Sequence, residues 1–144
     1  MARRTFEDLA ADFEFLDDWE DRYRYVMELG RELEPFPEEA RTEANKVNGC
    51  VSQVWLLPKV EKAGTEEAVV HFQGDSDAMI VRGLVAILLT MISGQKARDL
   101  LDMDIKGNLA RLGLEEHLTP QRANGLTAMV ERVRAEARKA LGEG

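Results

Sequence analysis

The chain has 144 residues, 44% hydrophobic and 32% charged, with a formal net charge of −8. That length is most simply one domain, 1–144, able to bury a core without disulfides or metal. The negative charge disfavours phosphate-driven nucleic-acid binding and anionic lipid surfaces, and a lone cysteine excludes an internal disulfide and suits the reducing cytoplasm.

The basic start, Met1 to Thr5, is followed by Glu7, Asp8 and Asp12, where a signal peptide needs its apolar core. Thr5-Phe6-Glu7-Asp8 predicts a helix start, with Thr5 as cap and Asp8 in the positive first turn. Phe6, Leu9, Ala10, Phe13 and Leu16 recur at helical spacing. A second helix is expected from Asp17 or Asp18, with Trp19, Tyr23, Val26 and Met27 in its stripe and Gly30 as its stop. Pro35-Phe36-Pro37 ends helical structure, and Glu38 to Asn45 has room for one short helical turn.

Val51 to Val60 reads as a strand, with Pro58 marking an edge. Lys62 to Glu66 has turn composition. Ala68 to Gln73 resumes as a strand with Ala68, Val70 and Phe72 on one face, so the pair is an antiparallel hairpin. Gly74 to Asp77 predicts a compact turn in which Asp75 or Ser76 caps the next helix. That helix, Ala78 to Ile92, is apolar on nearly all sides and should be central. Arg82 is its exception, expected at the surface or against a carboxylate. The run falls short of the ~20 residues that span a bilayer, so no membrane segment is expected. Gln95 to Met103 and Ile105 to Leu112 read as short helices, and Gly113 to Leu118 as a connector. Thr119-Pro120 opens a last helix whose stripe includes Leu126, Met129, Val130, Val133 and Ala137. Helices before and after a small antiparallel sheet imply an α+β fold with the helices on one face.

Chemistry concentrates at Cys50. Free cysteines are among the most buried residue types, so this thiol could be a small core residue. A metal site is not expected: one cysteine and two histidines, His71 and His117, offer neither CxxC nor HxxxH spacing. A Cys–His enzyme is a second possibility, pairing Cys50 with His71 or His117. A thiol that carries a group is the third. It requires an unpaired, reachable thiol with no neighbouring thiol to resolve it. Gly49 permits close approach of a partner backbone, and nearby amides could stabilise a thiolate or persulfide. On the residues alone, a structural and a functional cysteine stand level.

Three blocks go further. Val47-Asn48-Gly49-Cys50-Val51-Ser52-Gln53-Val54-Trp55 resembles the cysteine loop of the SufE family, sulfur acceptors of the Suf iron–sulfur assembly system. Gly74-Asp75-Ser76-Asp77-Ala78, with Ile80-Val81-Arg82-Gly83-Leu84, resembles the second family block. His117-Leu118-Thr119-Pro120-Gln121-Arg122-Ala123-Asn124-Gly125-Leu126 resembles the third. Val51 departs from the family's more usual glutamine. The resemblance runs from about Phe6 to the last helix. It implies the α+β fold shared with IscU-type scaffolds, and a carrier rather than a cluster scaffold, since only Cys50 is present. It implies that Cys50 takes persulfide sulfur from a SufS-like or CsdA-like cysteine desulfurase, stimulates it, and delivers the sulfur to the SufBCD complex. Pyridoxal phosphate would belong to the desulfurase, with no cofactor or metal on this chain. By the same resemblance Gly49, Ser52 and Gln53 shape the loop, while Asp75, Asp77 and Arg122 lie near it or at the partner surface. Capping is the competing role for the two aspartates, and an ion pair with one of them is the competing role for Arg122. Cys50 is expected to be tucked against apolar residues until a partner docks.

Overall fold

The computed structural model describes residues 5–50 and 52–143. Thr5 caps the first helix, α1 (Phe6–Phe15), in a capping box with Asp8, and Leu9 and Phe13 face the core. Asp18 caps α2 (Trp19–Arg31) by accepting the Glu20 N–H at 2.9 Å. Gly30 does not stop this helix. It is buried inside it, where a Cβ would lie 2.7 Å from the Gly83 nitrogen. At Gly83 a Cβ would lie 2.2 Å from the Val26 carbonyl oxygen. The two glycines let the backbones of α2 and α3 (Met79–Ile92) touch where the helices cross, which a side chain at either position would prevent.

α3 is the central helix, burying Val81, Leu84, Ile87, Leu88 and Ile92 among other residues. It packs between α2 and a three-stranded antiparallel sheet of order β1-β2-β3. β1 (Val54–Glu61) pairs with β2 (Val69–Ser76), Leu56 opposite Gly74 and Pro58 opposite Phe72. Pro58 thus sits on an edge strand, where its missing N–H costs no ladder bond. β1 begins at Val54, later than Val51, which lies outside the described residues.

Two expectations about β2 and its sequel are corrected. Gly74, Asp75 and Ser76 are not a turn but the end of β2, paired with Leu56, Trp55 and Val54. Gly74 is needed there because a Cβ would lie 2.7 Å from the Val85 side chain of α3. Gln95 and Lys96 are not helical but form β3, opposite Val70 and Val69. The glycine at 94 reverses the chain with φ 82°, so the residues after α3 return onto β2 before α4 (Ala97–Asp102) can start. α5 (Ile105–Arg111) follows as expected, and the connector holds a short α6 (Leu114–His117). α7 (Pro120–Ala140) opens on Thr119, which accepts the Arg122 N–H.

The architecture is α+β. Val54, Leu56, Val70 and Phe72 join the helices in one core. Phe36, Ala40 and Trp55 form a smaller buried cluster around the 3-10 turn Glu38–Ala40. Among the described residues no helix is long and apolar enough to cross a membrane.

Candidate functional site

The stretch before Cys50 runs back along the edge of β1. Lys46 bridges to Trp55, the Val47 N–H donates to the Val54 carbonyl at 2.8 Å, and the Leu56 N–H donates to the Asn45 carbonyl at 2.9 Å. The described residues between Val47 and Val54 are therefore a tight excursion closed by strand-like pairing at its base. Gly49 turns it with φ 94°, a conformation that disfavours any side chain. A Cβ at Gly49 would also come within 3.2 Å of the Ala128 methyl of α7.

This turn lays Cys50 against α7. The thiol is half-buried, and its Sγ donates to the Gly125 carbonyl at 3.5 Å. A Cβ at Gly125 would stand 3.4 Å from Sγ, in ordinary contact with it. Sγ opens into a cavity of about 230 Å³ between the loop, α3 and α7. Val81, Leu84 and Met129 supply apolar wall, while Ser52, Thr119, Gln121 and Arg122 supply polar rim. Burial pushes the Cys50 thiol up from its ordinary pKa. The Gly125 carbonyl can only accept, so it too favours the S–H form. The folded state favours the protonated thiol, beside a partly open space.

Each of the other predicted residues has a place in this arrangement. Ser52 is on the cavity rim. Gln53 and Asp77 tie the loop to the head of α3: the Gln53 N–H donates to Asp77 Oδ1 at 3.1 Å, and the Asp77 N–H returns to the Gln53 carbonyl at 3.3 Å. Capping is not what Asp75 and Asp77 do. α3 has no side-chain cap on its Ala78 N-cap, and the nearest substitute is Ser76 Oγ, which accepts the Ala78 N–H at 3.2 Å. Asp75 instead sits between two guanidinium groups, 2.6 Å from Arg41 and 2.9 Å from Arg82 Nε. The Arg82 contact is an ion pair whose N–H is not aimed as a hydrogen bond. Arg41 also lies over the Trp55 and Phe36 rings, at 4.9 and 5.4 Å. This cluster pins the segment leading to the cysteine loop onto the end of β2.

Arg122 does not pair with Asp75 or Asp77. It is exposed at the cavity rim, with no carboxylate partner among the described residues, and it is the charged side chain of the cavity lining. Neither histidine lines the cavity. His71 is exposed on β2 with its Nε2 3.6 Å from Glu61, and His117 stacks on Trp19. A Cys–His pair is thus not assembled here.

Sequence reasoning missed Arg41, Gly125 and Met129 as neighbours of the site. Arg41 gives no periodic signal in its irregular segment. Met129 lies on the apolar stripe of α7 and reads only as core. Gly125, a glycine inside a helix, was the one available sign of close approach.

A family model described as "SufE: Fe-S metabolism associated domain" matches residues 7–137. A SufE-like protein of Rhizobium meliloti (strain 1021) is 49% identical over 133 residues, 92% of this chain and 94% of that one. A SufE-like protein of Rhizobium etli is 50% identical over 134 residues, 93% of this chain and 90% of that one. The solution structure of a hypothetical protein from Thermus thermophilus superposes with a TM-score of 0.75 at 25% identity, covering 99% of both chains. With its loop, its sheet and most of its last helix within the matched span, the chain belongs to the SufE family and has a sulfur-related role in iron–sulfur metabolism.

Proposed function

We propose that the protein is a sulfur acceptor and carrier working in the cytoplasm. The Cys50 thiolate attacks the outer sulfur of a persulfide held on a cysteine desulfurase. The S–S bond of the donor breaks, its cysteine leaves as a thiolate, and Cys50 becomes the persulfide. The exchange conserves electrons and needs no further oxidant. A second exchange passes the sulfur to a SufBCD-type scaffold. Pyridoxal phosphate works in the desulfurase, where it releases sulfur from free L-cysteine; this chain is an accessory that empties the donor and so speeds its turnover.

The observation that carries this reading is the cavity at Cys50. The thiol has no second thiol to close on, and it faces a small, partly apolar space that can shelter one added sulfur atom. Ser52, Gln53 and Gly49 shape the loop that presents it, and Asp77 fastens that loop. Asp75 orders the adjoining segment, and Arg122 at the rim is placed to meet a partner. Intact-mass measurement after incubation with a cysteine desulfurase and L-cysteine tests the reading. It requires one added sulfur on the parent protein, none on Cys50→Ser, and faster desulfurase turnover with the parent alone. No added sulfur and unchanged turnover would sink it.

A further inference from the structure

We propose that the stack of His117 on Trp19, together with the Tyr23 hydroxyl on the His117 carbonyl, is a clamp that positions the α7 wall of the Cys50 cavity. The inference concerns how sulfur is sheltered and so rests on the carrier reading. His117 is the last residue of α6, and α7 begins at Pro120. Only Leu118 and Thr119 lie between them. Thr119, Gln121, Arg122 and Gly125 then line the cavity. The place of that wall is therefore set largely by where His117 is held.

His117 is held twice from α2. Its ring lies 3.7 Å from the Trp19 ring with 20° between the planes. Its carbonyl accepts from the Tyr23 hydroxyl. Trp19 is itself fixed: it meets Phe13 edge-on at 6.5 Å, and the Arg22 guanidinium lies 5.0 Å from its ring centre. Arg22 Nε is in turn bonded to the carbonyls of Phe13 and Leu16, at 3.0 and 2.7 Å. The start of α6 rests on the same indole, since a Cβ at Gly113 would stand 3.5 Å from it.

Apart from Leu118, which packs partly against the core, the first turn of α7 has little else to hold it. Thr119, Pro120, Gln121, Arg122 and Asn124 are exposed, and the buried stripe begins only at Gly125 and Leu126. A helix end without its own core contacts takes its position from the segment that feeds it. His117 is exposed yet stacked, which is an ordered role for a side chain that contributes nothing to the core.

Four variants of the full chain test the clamp: His117→Ala, Tyr23→Phe, the stack-preserving His117→Tyr, and Glu116→Ala as an exposed neighbour. The probe is iodoacetamide, followed by intact mass across a pH series. Loss of an aromatic stack or of one hydrogen bond should raise the Cys50 labelling rate roughly 2–13-fold in the first two variants. The inflection of their pH–rate profiles should move down towards an ordinary thiol. His117→Tyr and Glu116→Ala should behave as the parent. Loaded Cys50 persulfide should be lost faster to glutathione in His117→Ala. A fall in melting temperature with an unmoved inflection and labelling rate would make His117 merely structural and overturn the clamp. If labelling responds as stated but no variant, parent included, ever accepts sulfur, the clamp stands and the carrier reading fails.

Discussion

Replacing Gly49 by alanine should open the cysteine loop without touching the thiol. Gly49 adopts φ 94°, and a Cβ there would meet the Ala128 methyl at 3.2 Å. Placing an L-residue in left-handed backbone costs about 1–2 kcal/mol. That strain exists only while Gly49 and Cys50 are folded against α7; once they lift away, the alanine relaxes. If Cys50 reacts through the lifted state, its labelling rate scales with that state's population. A cost of that size changes such a population by about 5–30-fold. The assay is the rate of iodoacetamide addition to the native protein at fixed pH, read by intact mass, beside a urea titration of global stability. Gly49→Ala should label faster by that factor and lose stability by no more than the strain. An unchanged or slower rate would refute the reasoning, since it would mean that Cys50 reacts without leaving α7 or that the left-handed turn is not specific to the closed loop.

Other outcomes follow from the same geometry. Burial raises the Cys50 pKa, so the native state binds its proton more tightly than the unfolded chain does. The stability this group contributes is therefore complete below the ordinary thiol range and lost as pH rises through the raised pKa, an alkaline loss that Cys50→Ala should lack in urea titrations across pH. Asp75→Asn leaves Arg41 and Arg82 without their shared carboxylate; removal of a charged hydrogen-bond partner in this partly buried place should cost roughly 1.5–3 kcal/mol in the same titration. Gly83→Ala drives a methyl into the Val26 carbonyl at the α2–α3 crossing; overpacking of this kind costs about 1–3 kcal/mol, and the unfolding midpoint should fall accordingly.

The fold was legible wherever one residue type did one local job. Thr5 and Thr119 each cap the helix they were expected to cap, and Asp18, one of the two expected starts of α2, caps it as well, because a capping oxygen acts within its own turn. Legibility failed where a local preference met a tertiary demand. Gly30 and Gly74 read as a stop and a turn, yet both are places where another element leaves no room for a side chain. Asp75 had the composition of a cap, but its carboxylate is drawn to Arg41, far away in sequence and invisible to any local pattern. The site divides in the same way. Cys50 and the left-handed Gly49 could be singled out from their own stretch, whereas the cavity needs Val81 and Leu84 from α3 and Met129 from α7, residues whose spacing marks them only as core.

A carrier thiol has two opposed needs: it must be a thiolate when the donor is docked and unreactive otherwise. The resting geometry meets only the second, since both burial and the Gly125 carbonyl favour the thiol. Reactivity therefore has to come from movement, and the two walls of the cavity differ in how easily they move. Among the described residues the loop is fastened beyond its base by the Gln53–Asp77 pair of hydrogen bonds and by Sγ on Gly125. At a net value of about 1 kcal/mol per bond, lifting it costs a few kcal/mol, which local fluctuations supply. The opposite wall beyond the first turn of α7 buries Leu126, Met129, Val130, Val133 and Ala137 and cannot shift without opening the core. With that first turn held at His117, the loop is the moving part and the body of α7 the fixed one. A docking partner that competes for the Asp77 carboxylate, with an amide or a cation of its own, would release Cys50 at the moment when a sulfur donor stands beside it. Asp77→Ala should then label faster in the free protein and show a smaller additional acceleration when the desulfurase is added. Equal acceleration in parent and variant would place the release elsewhere in the loop.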